Sequence, residues 1–356
     1  MTDYTKIRKM FGAQTYGVFI NSLDKFLSVP LLFYFWSADL VGEWLILRAI
    51  PNYLSIVEFG LSASIGNKMV QLYEVEDLKN VSSYYSSGVF ALLALSSILL
   101  VFSFFIVFNI DFRGLFNIHK STELDINIVI LSSILYCIFL FQTQMASAGY
   151  RVLGLYSNAA MITYHIRLIE FICLSFCIVL GGGVAAASIT IMLIRFFGAI
   201  FMDLNLARKS EIFRPRLRLV SIAKIKYIIP NSIGFFGFPF SQMLNIQGSI
   251  LIVAAVSSPA VVAVFNVSRT LVRLIVQFGT MINKSVWPEM TKAALANQSK
   301  DFIKLATRSL IFFLASAVLI SALLLNFGEQ IIALWTNNQI LFNSTLFSIL
   351  IVAALL

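Results

Sequence analysis

The chain has 356 residues, of which 59% are hydrophobic and 12% charged, with 26 Lys and Arg against 17 Asp and Glu for a formal charge of +9. A soluble domain carries charge at about 25% of its positions, and a mean hydropathy of +0.88 leaves too little polar surface to coat a water-soluble body. The composition excludes a pair of soluble domains, the default for this length, and describes an all-α polytopic membrane protein of about ten helices.

A helix crosses the hydrocarbon core with about 20 apolar residues. The first such run, 11–35, follows Lys6, Arg8 and Lys9; it lacks a small-residue cleavage site, and Asp24 with Lys25 interrupts it, so it reads as a retained span and not a secretory signal. Further runs lie at 42–66, 83–109, 126–147, 156–180 and 184–206. A basic connector over 208–226 separates these six from 226–256, 260–283, 305–326 and 341–356. The last run stops at Leu356 without a polar anchor, which reads as a truncated chain. Pro230 to Pro239 in the seventh run is the expected bending element. Cys137, Cys173 and Cys177 all fall in apolar runs and read as buried inert thiols.

Basic residues set the orientation. With the N-terminus cytoplasmic, eighteen Lys and Arg fall in cytoplasmic segments, seven of them between Arg208 and Lys226, while the opposite side receives only Arg113 and Lys120. The positive charge is therefore a topology signal, and nucleic acid is not an expected partner. The connector divides the chain into a six-helix lobe, 1–225, and a shorter lobe, 226–356. Trp44 and Arg48 in the second span are echoed by Phe265 and Arg269 in the eighth, each Arg four residues after an aromatic. Such an echo after a basic linker is the pattern of parallel repeats in transporters.

A charge at the bilayer centre costs at least about 2.5–3.5 kcal/mol and faces a bundle interior or an aqueous cavity. Deep within the spans lie six cations, Lys25, Arg48, Arg167, Arg195, Arg269 and Arg273, against three acids, Asp24, Glu58 and Glu170. Arg167 and Glu170, three residues apart, read as an ion pair within one helix. Arg269 lies about 13 Å into its span at 1.5 Å per residue, with Arg273 one turn deeper. A net positive interior suits an anionic cargo, and the planar fork of Arg suits phosphate. Amides and aromatics accompany the charges, among them Gln14, Tyr53, Gln142, Gln144 and Asn266.

No phosphate-binding loop of the Gly-x-x-x-x-Gly-Lys type occurs, and neither His119 nor His165 sits with carboxylates at metal spacing. No catalytic constellation, cofactor or metal is expected. Glycosyl- and acyltransferases lose their support for the same reason.

Three stretches carry a family resemblance: Leu40-Val41-Gly42-Glu43-Trp44 with Glu58-Phe59-Gly60-Leu61; Ala148 to Gly154; and Phe265 to Leu271 with Trp287-Pro288-Glu289. In these the chain resembles a polysaccharide exporter of the MOP superfamily, of the Wzx type that flips O-antigen or other lipid-linked oligosaccharides. The resemblance implies two helical lobes that alternate between inward- and outward-open states in the bacterial inner membrane. The implied cargo is an undecaprenyl-pyrophosphate-linked glycan used in lipopolysaccharide biosynthesis, and the implied partners are the lipid bilayer and other polysaccharide-assembly membrane proteins. On that basis Arg269, Arg273, Arg195 and Arg167 contact the anionic cargo, Lys25 and Arg48 extend the positive surface, and Asp24, Glu58 or Glu170 serves gating or ion coupling. A lipid II flippase and a multidrug or small-molecule antiporter of the same superfamily are the rival readings.

Overall fold

The computed structural model describes residues 3–54, 58, 60–295 and 299–355. Among these residues the regular structure is helical: α1 (Asp3–Phe35), α2 (Ala38–Leu54), α3 (Leu61–Glu74), α4 (Leu78–Asn109), α5 (Phe112–Leu115), α6 (Glu123–Val152), α7 (Tyr156–Val179), α8 (Val184–Lys209), α9 (Ile222–Met243), α10 (Ser249–Val256), α11 (Pro259–Leu295), α12 (Ser299–Trp335) and α13 (Ser344–Leu355). Among the described residues seven helices are long and apolar enough to cross a membrane, and two shorter apolar segments, Phe240–Val256 and Ser344–Leu355, accompany them. The chain is an all-α, multi-pass membrane protein. Along α4, Ile98, Val101, Phe105 and Phe108 are 66% to 72% exposed, an apolar face that belongs in lipid.

Two expectations need revision. The second run is not one helix: α2 stops at Leu54 and α3 restarts at Leu61, with Glu58 in the described part of the connection. Second, the backbone stays helical through Pro230 and Pro239, and the irregular turn lies further on, a π-helical turn at Leu244–Gly248 between α9 and α10. Neighbouring helices can satisfy the carbonyls that proline frees in a membrane span, so the prolines alone do not break it. The π turn packs against α2, where a Cβ on Gly248 would fall 2.7 Å from the Tyr53 hydroxyl oxygen.

Helix ends follow local chemistry. Asp77 caps α4 by accepting from the Asn80 backbone N–H at 3.2 Å. Thr122 and Asp125 form a reciprocal capping box at the start of α6. Gly154 and Gly181 adopt φ of +69° and +86° after α6 and α7, the left-handed position at which a helix C-terminus favours glycine.

The fold divides into two compact units, Met1–Pro259 and Ala260–Leu356. In the first, α6 is central and packs on α2, α3, α4, α7 and α8, while α1 lies along α7. Small residues let α6 and α8 approach, with the hydroxyls of Ser132 and Ser188 2.6 Å apart. In the second unit, a Cβ on Gly279 of α11 would fall 2.6 Å from the Phe313 ring of α12, and one on Gly328 of α12 2.8 Å from the Phe347 ring of α13.

The basic connector is packed onto the first unit. Phe213 is 1% exposed and meets Tyr85 edge to face. The Ser83 hydroxyl donates to the Leu219 carbonyl at 2.7 Å, while the backbone N–H groups of Arg216 and Ser221 donate to the hydroxyls of Ser86 and Ser87 at 3.1 and 2.9 Å. Lys224 donates to the Asn80 side-chain oxygen at 2.6 Å. The Ser-Ser-Tyr-Tyr-Ser-Ser run at 82–87 is thus a docking strip for the connector.

At the opposite end of this unit Glu43, fully buried, accepts from the backbone N–H groups of His119 and Lys120, both at 2.7 Å, and of Ser121 at 2.8 Å, and from the Ser121 hydroxyl at 2.6 Å. Its neighbour Trp44 packs edge to face on Trp36, whose indole N–H donates to the Gly182 carbonyl at 3.2 Å. One carboxylate thereby ties the connection before α6 to α2. Glu43→Ala strands the N–H of buried Ser121, at a cost of about 1–3 kcal/mol when unpaired, and removes the acceptor of the partly buried His119 and Lys120 N–H groups, whereas Glu43→Gln keeps an acceptor. Thermal unfolding in detergent, followed by thiol-dye reaction at buried Cys137, is expected to show a large drop in melting temperature for the first substitution and a smaller one for the second.

Candidate functional site

Within the first unit, the charges singled out in the sequence pair between helices and not within one. Arg167 of α7 pairs across to α1, with Nη2 3.2 Å from the Asp24 carboxylate, and the Ser28 hydroxyl donates to the other oxygen of Asp24 at 2.9 Å. Glu170, the partner expected for Arg167, is taken by Arg195 of α8. Nε of Arg195 lies 2.7 Å from one carboxylate oxygen and Nη2 donates to the other at 2.8 Å. Arg195 is 2% exposed and Glu170 6%. The partners are exchanged because α7 packs between α1 and α8, so each charge of its 167–170 turn finds a counter-ion on a different neighbour.

Tyr136 of α6 joins this pair to α2. Nη2 of Arg195 also donates to the Tyr136 hydroxyl at 2.9 Å, and its guanidinium lies 4.9 Å from the centre of that ring. The Arg48 guanidinium stands 5.9 Å from the same ring and 5.0 Å from the ring of Trp44. Cations over aromatic faces gain about 0.5–2 kcal/mol, most where water is excluded. Arg48, Tyr136, Arg195 and Glu170 therefore form one layered network across four helices. Tyr136 did not stand out in the sequence, since a lone Tyr in an apolar run carries no spacing signal, and Glu43 entered only as part of the motif around Trp44.

In the second unit the Arg269 guanidinium lies 4.9 Å from the Phe265 ring and donates to the Asn266 side-chain oxygen at 3.3 Å. Arg273 follows one turn later and is exposed. The echo noticed in the sequence is thus an echo in geometry: Trp44–Arg48 and Phe265–Arg269 each stack a guanidinium on the aromatic four residues before it, at 5.0 and 4.9 Å. The side chains of Trp287, Pro288 and Glu289, which the family resemblance also used, lie outside the described residues.

The Arg167–Asp24 and Arg195–Glu170 pairs account for two of the six cations and two of the three acids. Lys25 is exposed. Glu58 is 2% exposed and lines a polar cavity of about 180 Å³ with Ser62, Gln144, Ser147, Arg151 and Tyr156. Arg151 donates from Nη2 to the Ala63 carbonyl at 3.3 Å, and one oxygen of Glu58 and Nε of Arg151 are buried without a hydrogen-bond partner. Among the described residues no group of His, Cys, Asp and Glu could hold a metal ion.

No protein-family model matches the chain, and no curated protein sequence matches it. Among solved structures it is similar to a multidrug resistance MATE family transporter of the MOP superfamily in its inward-facing conformation, with a TM-score of 0.65 and 14% identity over 96% of this chain and 79% of that one. At that identity the likeness is one of fold: the chain shares the helical fold of that protein.

Removing one member of a buried ion pair leaves an uncompensated charge and costs about 3–5 kcal/mol, whereas replacing both by apolar residues is close to neutral. Glu170→Leu alone is therefore expected to lower the melting temperature in detergent strongly, and Glu170→Leu with Arg195→Met to recover most of the loss. Additive losses in the double variant would mean that the two side chains do not act as a pair.

Proposed function

We propose that the chain is a transporter that moves an undecaprenyl-pyrophosphate-linked oligosaccharide, such as an O-antigen repeat unit, across the bacterial inner membrane by alternating access. One observation carries the reading: each compact unit presents an aromatic-backed arginine, Arg48 on Trp44 and Arg269 on Phe265, with Arg273 one turn from the second. Stacking fixes the plane of a guanidinium and leaves its edge N–H groups directed sideways, the presentation that suits a phosphate group. Arg48, Arg269 and Arg273 contact the pyrophosphate or an acidic sugar, and Lys25 extends the positive surface.

Arg167 and Arg195 act at one remove. Each is held by a carboxylate, and the Arg195–Glu170 pair holds Tyr136 beside Arg48. Of the three acids considered for gating or ion coupling, Asp24 and Glu170 serve as counter-ions, which leaves Glu58, in its polar cavity with Arg151, as the acid available for coupling. Two helical lobes move against each other during the cycle, with the N-terminus and the basic connector on the cytoplasmic face.

Export of a small organic cation is the rival within the same fold. It needs an acidic cavity, and in this chain Asp24 and Glu170 are neutralised by arginine. A lipid II flippase shares the pyrophosphate chemistry and differs in the sugar.

A hydrogen bond to a charged group contributes about 1.5–3 kcal/mol, so Arg48→Ala and the double substitution Arg269→Ala with Arg273→Ala should each slow flipping by about tenfold or more. The measurement is the appearance of a fluorescent undecaprenyl-pyrophosphate oligosaccharide in the far leaflet of proteoliposomes containing equal amounts of each protein. Unchanged flipping in both variants would remove the site. Wild-type protein that exports an organic cation and leaves the lipid-linked glycan in place would replace the reading with the antiporter.

A further inference from the structure

The connector between α8 and α9 is more than a basic loop of the kind that topology alone requires. Its backbone is fastened along the first turns of α4 by hydrogen bonds at Ser83, Ser86 and Ser87, and its Phe213 is sunk beneath it against Tyr85. What it turns outward is mixed: Arg214, Arg216 and Arg218 are exposed together with Leu217 at 75% and, at the start of α9, Ile222 at 70%. Arg214 and Arg216 both have extended backbone, and alternate residues of an extended segment point to the same side. Arg214 and Arg216 therefore leave the backbone on the same side, with Arg218 two residues further on and Leu217 between.

The depth of this strap follows from α4. That helix has 32 residues, about 48 Å at 1.5 Å per residue, whereas the hydrocarbon core is about 30 Å thick. The excess of about 18 Å is enough for its first turns, where the strap is docked, to reach headgroup level. An ordered strap at that level, with planar cations and exposed Leu and Ile side by side, matches a lipid that offers both a phosphate and the top of an acyl chain. The Arg214–Glu211 pair at 3.1 Å is exposed on both sides and contributes little by itself, so a headgroup phosphate can take over the arginine.

We infer that the docked connector is a binding site for anionic phospholipid in the leaflet on its own side of the membrane, with Arg214, Arg216 and Arg218 holding the headgroup phosphate and Leu217 and Ile222 the adjoining acyl region. The site is separate from the cargo path and stands whatever cargo is carried.

Binding of short-chain phosphatidylglycerol and phosphatidylcholine to the detergent-purified full chain, read by native mass spectrometry, tests it. Basic residues at a membrane surface each add a modest, cumulative preference for anionic lipid, so the wild type should bind phosphatidylglycerol about tenfold or more tightly than phosphatidylcholine. Arg214→Gln, Arg216→Gln and Arg218→Gln together should abolish that preference. Lys304→Gln with Arg308→Gln, two exposed basic residues of α12, should keep it. A wild type without the preference, a preference that survives the triple substitution, or equal loss in the α12 control would each overturn the assignment. Displacement of the lipid by inorganic phosphate at equal concentration would also overturn it, because it would leave no part for the apolar side chains.

Discussion

The first unit is arranged around the ion pair between Arg195 and Glu170. Its two members lie on adjacent helices and are almost wholly buried, and the Tyr136 hydroxyl adds a third helix to the contact. Taking two charges out of water offsets most of what their attraction returns, so the pair contributes modestly to stability. What it supplies is registry: a rotation or slide of α7 against α8 by one residue would leave a guanidinium and a carboxylate unpaired in a low-dielectric interior. Tyr136 then holds the face over which Arg48 lies, so the position of one aromatic-backed arginine depends on a pair two helices away.

Glu43 applies the same constraint at one end of the unit and the connector applies it at the other. Glu43 gathers three backbone N–H groups and one hydroxyl that have no helix to satisfy them. The serines of α4 do the equivalent for the connector, where backbone N–H groups of an irregular segment meet side-chain hydroxyls and the Leu219 carbonyl meets Ser83. In both places an irregular segment persists beside a membrane helix because side chains supply partners that water would otherwise provide.

Much of the fold was legible because hydrophobic length is a strong signal. Eight of the ten apolar runs correspond to single helices, and the run over 226–256 became α9, a π turn and α10. The failure at 42–66 has a physical cause: hydropathy averages over a break, and Glu58 flanked by apolar residues reads as a charge within a span and not as the junction between α2 and α3. The charge pairing was legible only in part. Spacing along α7 suggested Arg167 with Glu170, yet the choice of partner is made by what α1 and α8 present to that turn, information that lies in tertiary packing. Asp203, near the end of α8, went uncounted among the acids, and Glu43 was read only as part of a motif, because both sit near span ends where charge is ordinary.

The Trp44–Arg48 and Phe265–Arg269 echo is informative because the same aromatic contact recurs in both compact units. An arginine that neutralises a carboxylate is explained by that carboxylate, and nothing about cargo follows from it. Arg48 and Arg273 take part in none of the ion pairs found among the described residues, and Arg48 lies against the aromatic rings of Trp44 and Tyr136, which do not cancel its charge. Keeping a positive charge there costs free energy on insertion, and aromatic stacking recovers only part of that cost. The arrangement recurs once in each compact unit and sets a guanidinium against an aromatic face among largely apolar neighbours.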